Sequence, residues 1–149
     1  MNEPTVEPTA GDAGSTRHER SRADAILIVE DNDLVREMCA IVLRESGRGI
    51  HTVNSATEAR DHLAQPHDIA IVVTDLTMPG EWSGPDLVRH LVDTQPQIGI
   101  VVTTGLMDAD LSFAPGVQLV HKPFSVEQLL TAVQRAAAGA TAGHAPRAS

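Results

Sequence analysis

The chain reads as a single α/β domain built on a parallel sheet, and three observations predict it. Continuous apolar runs, suited to strands covered on both faces, alternate with amphipathic stretches of helical period, the pattern of right-handed βαβ units. Aromatic residues make up only 2% of the chain against 42% hydrophobic, so the core must be Val, Ile, Leu, Ala and Met, as in sheets flanked by helices. A length of 149 residues suits one core with polar tails better than two cores.

Residues 1–23 carry Glu3, Glu7, Asp12 and Glu19 among Pro, Gly, Ser and Thr, with Arg17, Arg20 and Arg22 reading as a solvated cluster. With almost nothing apolar to bury, this tail is expected to be disordered. The first strand is Ala25-Ile26-Leu27-Ile28-Val29, stopped by Glu30 and Asp31. Val35, Met38, Cys39, Val42 and Leu43 then recur at helical spacing over 34–46, with Asp33 the predicted N-cap and Gly47 the stop. A weaker strand over 50–53 leads to Ser55-Ala56-Thr57-Glu58, a capping-box pattern opening a short helix that ends before Pro66. The third strand is predicted over 69–74. A helix beginning near Pro85 carries Leu87, Val88 and Leu91. The fourth strand is predicted over 98–103 and the fifth over 117–121. Ser125-Val126-Glu127-Gln128 is a second capping box, opening a last helix whose apolar stripe is Val126, Leu129, Leu130, Val133 and Ala137. The domain is therefore drawn as 24–136, followed by a Gly- and Pro-containing flexible tail, 137–149.

Composition narrows the function. A formal net charge of −9 argues against a nucleic-acid partner, which requires clustered Lys and Arg. No apolar run approaches a membrane span, and the acidic N-terminus is unlike a signal peptide, so a cytoplasmic protein is expected. The single cysteine, Cys39, excludes an internal disulfide and falls on the apolar stripe of its helix, where it reads as core. The histidines show no metal-ligand spacing, and His121 should face away from its neighbour Lys122.

In a parallel α/β sheet, ligands bind at the C-terminal ends of the strands. Glu30 and Asp31 end the first strand, Asp75 the third, Thr103 and Thr104 the fourth, and Lys122 the fifth. Taken alone, Asp75 reads as a strand-end cap, Glu30-Asp31 as a turn before a helix and Lys122-Pro123 as a loop turn. Together they form a set. Three carboxylates within about 4 to 5 Å of each other repel by several kcal/mol per pair at an effective dielectric of about 20. One lysine offsets only part of that. The remainder suits a hard divalent cation with oxygen ligands, Mg²⁺, and Mg²⁺ with an accessible carboxylate, a hydroxyl and a cation suits phosphoryl transfer.

Four motifs carry a resemblance. "ILIVEDND", "IVVTDLTMPG", "IVVTTG" and "VHKPF", in this order at the ends of successive strands, resemble the receiver domains of two-component response regulators over about residues 25–136. The resemblance implies a flavodoxin-like doubly wound five-stranded parallel sheet of order 2-1-3-4-5. It implies that Asp75 is the phosphorylated residue, that Asp31 and Asp75 ligate Mg²⁺ directly, that Glu30 acts through water, and that the Thr77 carbonyl completes the protein ligands. Thr104 would hydrogen-bond the phosphoryl group and Lys122 would pair with it, before a cis peptide to Pro123.

Three departures stand out. Leu119 occupies a switch position that is often aromatic. Residues 105–121 leave little room for the usual fourth helix, which is expected to be short or irregular. "GEWSGPDL" places Trp82 beside the site, where it reads as a partner contact, and resembles receivers associated with hybrid histidine kinases. The implied function is a single-domain bacterial receiver, with no room for an effector domain. It would take phosphate from a histidine kinase or histidine phosphotransfer protein, catalyse only its own phosphorylation and dephosphorylation, and signal to a downstream protein target or act as a phosphate sink, as a monomer or weak dimer. Two alternatives are a pseudo-receiver that docks without phosphorylation and a small Mg-dependent aspartyl-phosphate phosphatase. Thr77 argues against the latter, which usually has a second acid there.

Overall fold

Five consecutive apolar residues leave β1 (Ala25–Val29) no polar face for water, and all five are buried. The computed structural model describes residues 23–105 and 113–147 and places β1 next to the middle of a five-stranded sheet of order β2-β1-β3-β4-β5. Every pairing is parallel. The other strands are β2 (Ile50–Val53), β3 (Ile69–Asp75), β4 (Gly99–Thr104) and β5 (Gln118–His121). The order is the one the resemblance implies.

Alternation along the strands divides the core in two. Ala25, Leu27 and Val29 pack with α2 (Ala56–Leu63) and α3 (Gly84–Thr94) on one face of the sheet. Ile26 and Ile28 pack with α1 (Asp33–Leu43) and α4 (Val126–Arg147) on the other. Burying a Leu or Ile side chain contributes roughly 1.5–3 kcal/mol, so this double layer holds the strand ends that carry the polar residues.

Local chemistry moves several boundaries. The cap of α1 is Asn32, whose side chain accepts from the Val35 amide at 3.0 Å, while Asp33 is already helical and pairs with Arg36 at 2.6 Å. The helix closes through a 3₁₀ turn, Arg44–Ser46, onto Gly47 at φ 83°. Its inward face is Cys39, Ala40 and Leu43, so Met38, expected inside, is 50% exposed together with Leu34 and Ile41. Ser55 caps α2 by accepting from the Glu58 amide, but the Glu58 carboxylate takes the Asn54 amide rather than that of Ser55. Ser83 and Asp86 form a reciprocal capping box on α3, which the sequence pattern misses because its third helical position holds Asp rather than Glu or Gln.

The Ser125–Gln128 box of α4 is reciprocal as predicted. Its buried stripe is Leu129, Ala132, Val133 and Ala136, and Val126 is exposed. The helix also continues to Arg147, past the boundary drawn at 136, in keeping with alanine being the best helix former. Of the segment 105–121, where a short or irregular helix is expected, residues 105 and 113–121 hold no helix, and 106–112 lie outside the described residues, as does the tail 1–22. Among the described residues no helix is long and apolar enough to cross a membrane.

Candidate functional site

Parallel register brings the polar strand ends to one edge. Val29 pairs with Thr74, Asp75 with Thr103, and Thr104 with His121, so Glu30, Asp75, Thr104 and Lys122 all emerge at the same level. β3 and β4 each run one residue further than predicted, keeping Asp75 and Thr104 within the ladder.

Glu30, Asp31 and Asp75 offer carboxylate oxygens that lie within 4.8 Å of one another. Glu30 and Asp75 are buried and Asp31 is exposed, so the cluster opens to water on one side. The Lys122 ammonium lies 3.3 Å from Asp75 Oδ2 and 3.7 Å from Glu30 Oε1. The peptide that follows it, Lys122–Pro123, is cis. The Lys122 amide donates to the Thr104 carbonyl at 2.7 Å, and the Leu76 amide donates to the Thr103 carbonyl at 2.8 Å. Thr104 itself is fully buried.

Burial pushes the Glu30 carboxyl above its usual range; the Asn32 amide, donating to Oε2 at 3.1 Å, pulls the other way, and the neighbouring Asp75 charge adds to the rise. Cys39 is buried among core residues, as predicted, and burial with the nearby Glu30 charge pushes its thiol up to about 11. It is no nucleophile at neutral pH.

Arg36 is a contributor that sequence reading missed. Its guanidinium donates to the Glu30 carbonyl at 2.9 Å and to Asp33, pinning the β1–α1 junction that carries the acids. Its place one turn after Asp33 is the signal that could have found it. Thr77 is exposed two residues beyond Asp75. Leu119 sits away from the acids on β5, 37% exposed, and lines an open groove with Gln118, Thr131 and Arg135. Trp82, expected as a partner contact, is half-buried against the α2/α3 core. The Arg60 guanidinium lies 4.9 Å over its ring and the His90 ring is 5.1 Å away.

These residues fit a divalent cation. Three carboxylates cluster while one lysine pairs with only two of them, Glu30 and Asp75, and a buried acid with a raised pKa gains from a close positive charge. Oxygen-only donors with one open side match Mg²⁺, which keeps part of its water shell. Asp75, buried beside the Lys122 ammonium and paired through its strand with Thr103, has surroundings that suit a carboxylate nucleophile.

The family model for the response regulator receiver domain matches residues 26–134. Sensor kinase CckA of Brucella abortus is 34% identical over 125 residues, covering 76% of this chain and 12% of that protein. Transcriptional regulatory protein FixJ of Rhizobium meliloti is 34% identical over 113 residues, covering 73% of this chain and 54% of that protein. The chain thus spans about half, or much less, of these curated relatives. Among solved structures, a response regulator receiver protein from Sinorhizobium medicae superposes with a TM-score of 0.74 at 25% identity, covering 79% of this chain and 97% of that one. Another from Pseudomonas putida gives 0.67 at 30% identity, covering 76% and 97%.

Proposed function

The chain belongs to the response regulator receiver domain family, and on that premise we propose that it accepts a phosphoryl group on Asp75 from a histidine kinase or histidine phosphotransfer protein and signals through protein–protein contacts. The observation that carries this reading is the placement of a buried Asp75 carboxylate 3.3 Å from Lys122, within the acid cluster of Glu30 and Asp31. An intact acid set favours phosphorylation over passive docking.

In this reading an Asp75 oxygen forms a bond to phosphorus as the donor's N–P bond breaks, and the electron pair leaves with the donor imidazole. Asp31 and Asp75, the Thr77 carbonyl and, through water, Glu30 would hold Mg²⁺, which when bound neutralises charge on the phosphoryl oxygens. Lys122 follows the new charge from carboxylate to phosphoryl oxygen, and the Thr104 hydroxyl donates to another of them. Arg36 keeps the Glu30 backbone in place through its hydrogen bond to the Glu30 carbonyl. The state of Asp75 would be read by a downstream protein, or the chain would serve as a phosphate sink. The localisation fitting this role is cytoplasmic.

The test is intact-mass spectrometry after incubation with Mg²⁺ and acetyl phosphate. Wild type is expected to gain a single phosphoryl mass that requires Mg²⁺, and Asp75→Asn to gain none while keeping its fold. A Mg²⁺-dependent adduct that survives in Asp75→Asn moves the acceptor elsewhere, and no adduct in either protein favours the docking-only reading.

A further inference from the structure

The segment that follows Asp75 must hold one carbonyl, that of Thr77, in place for a metal with strict geometric demands. Yet among the described residues none of 77–82 takes part in a backbone hydrogen bond outside the regular elements. The loop has no ladder and no helix of its own. Side chains must position it. Met78 is buried in the α2/α3 core, and Trp82 packs against the same cluster. Trp82 is also held from two directions: by Arg60 of α2, 4.9 Å from the ring centroid, and by His90 of α3, in an edge-on arrangement at 5.1 Å. Arg60 is in turn steadied by Asp61 at 3.1 Å.

We infer that Arg60, through its contact with the Trp82 ring, is a positioning residue for the metal-binding loop, so that the Arg60–Trp82–His90 stack tunes Mg²⁺ affinity without touching the metal. The inference rests on the proposed Mg²⁺ role of the acid cluster and of Thr77. Its sign is distinctive. Removing a positive charge from an acidic protein strengthens cation binding through long-range electrostatics, whereas loss of this clamp weakens it.

The experiment is Mg²⁺ binding to the full chain by isothermal titration calorimetry, with Trp82 fluorescence recorded in parallel. Arg60→Gln is expected to raise the Kd about three- to tenfold, the range of a cation–π contact, and Arg60→Lys to restore most of it. Trp82→Leu, followed by calorimetry alone, is expected to weaken binding to a similar degree. Arg48→Gln, which removes the same charge from an ion pair with Asp24, is expected to leave the Kd unchanged or lower it. Thermal melts of each variant check that the fold is retained. An unchanged or tighter Kd in Arg60→Gln overturns the inference, as does equal weakening in Arg60→Lys. Absence of Mg²⁺ binding by wild type defeats instead the metal reading on which it rests.

Discussion

Glu30 carries the sharpest electrostatic consequence at the scale of single residues. It is 4% exposed, and burial raises its pKa above the ordinary 4.5. Over the window from that value upward the folded state holds a proton that the unfolded state has lost, so the stability of the metal-free protein falls as pH rises through it. Below the window both states are protonated and the cost vanishes. Glu30→Gln is therefore expected to flatten this part of the pH–stability curve and to stabilise the metal-free protein at neutral pH by about 1 kcal/mol, a typical cost for a buried, imperfectly paired polar group. Calorimetric melts in a pH series check it, and a lower melting temperature for Glu30→Gln at pH 7 would show that Lys122 and the Asn32 amide outweigh burial. Glu30, Asp31, Asp75 and Lys122 were legible in the sequence because each follows an apolar run. The surroundings of Trp82 were not, since its neighbours Arg60 and His90 come from two other elements and meet it only in the fold.

At the scale of elements, existence and type were legible, while boundaries and faces were less so. Period placed Cys39 and Leu43 inside correctly, but an apolar stripe wider than the buried face cannot say which edge is covered, and Met38 fell on the wrong side. The result is an uncovered row on α1: Leu34, Met38 and Ile41 are 76%, 50% and 55% exposed at positions one helical face apart. This row begins three residues after Asp31. Under the proposed function this row is expected to contact the protein phosphodonor. Leu34→Gln with Met38→Gln is expected to leave unfolding free energy within about 0.5 kcal/mol and labelling by acetyl phosphate unchanged, while slowing transfer from a protein donor about tenfold, the effect of losing roughly 1.4 kcal/mol of interface contact. Equal rates from both donors in the double variant would remove α1 from donor recognition.

Across the whole molecule, strand–helix alternation implied a parallel sheet, but the order β2-β1-β3-β4-β5 came from the motif resemblance, and the register that pairs Asp75 with Thr103 was visible in neither. Packing between distant segments was also hidden. A Cβ on Gly84 would lie 2.5 Å from the Asp75 carbonyl oxygen and 2.7 Å from that of Leu76, so the start of α3 is seated directly on the Asp75–Leu76 backbone. Gly84→Ala is expected to destabilise the protein by about 2–3 kcal/mol through overpacking and to reduce labelling of Asp75, with denaturant unfolding and acetyl phosphate incorporation as the measurements. Gly49→Ala, which meets only an ordinary contact with Ala25 at 3.5 Å, is the control and should change neither. Wild-type labelling in Gly84→Ala would separate the helix seat from the chemistry.

All the reactive groups lie at one edge of the sheet, while the chain enters β1 at the other, where Asp24 pairs with Arg48 and its amide donates to the Asp68 carbonyl. A surface attachment made at Asp24 itself would therefore leave the acid cluster on the far side of the domain, and exchange with a soluble donor could be followed there with the site unobstructed.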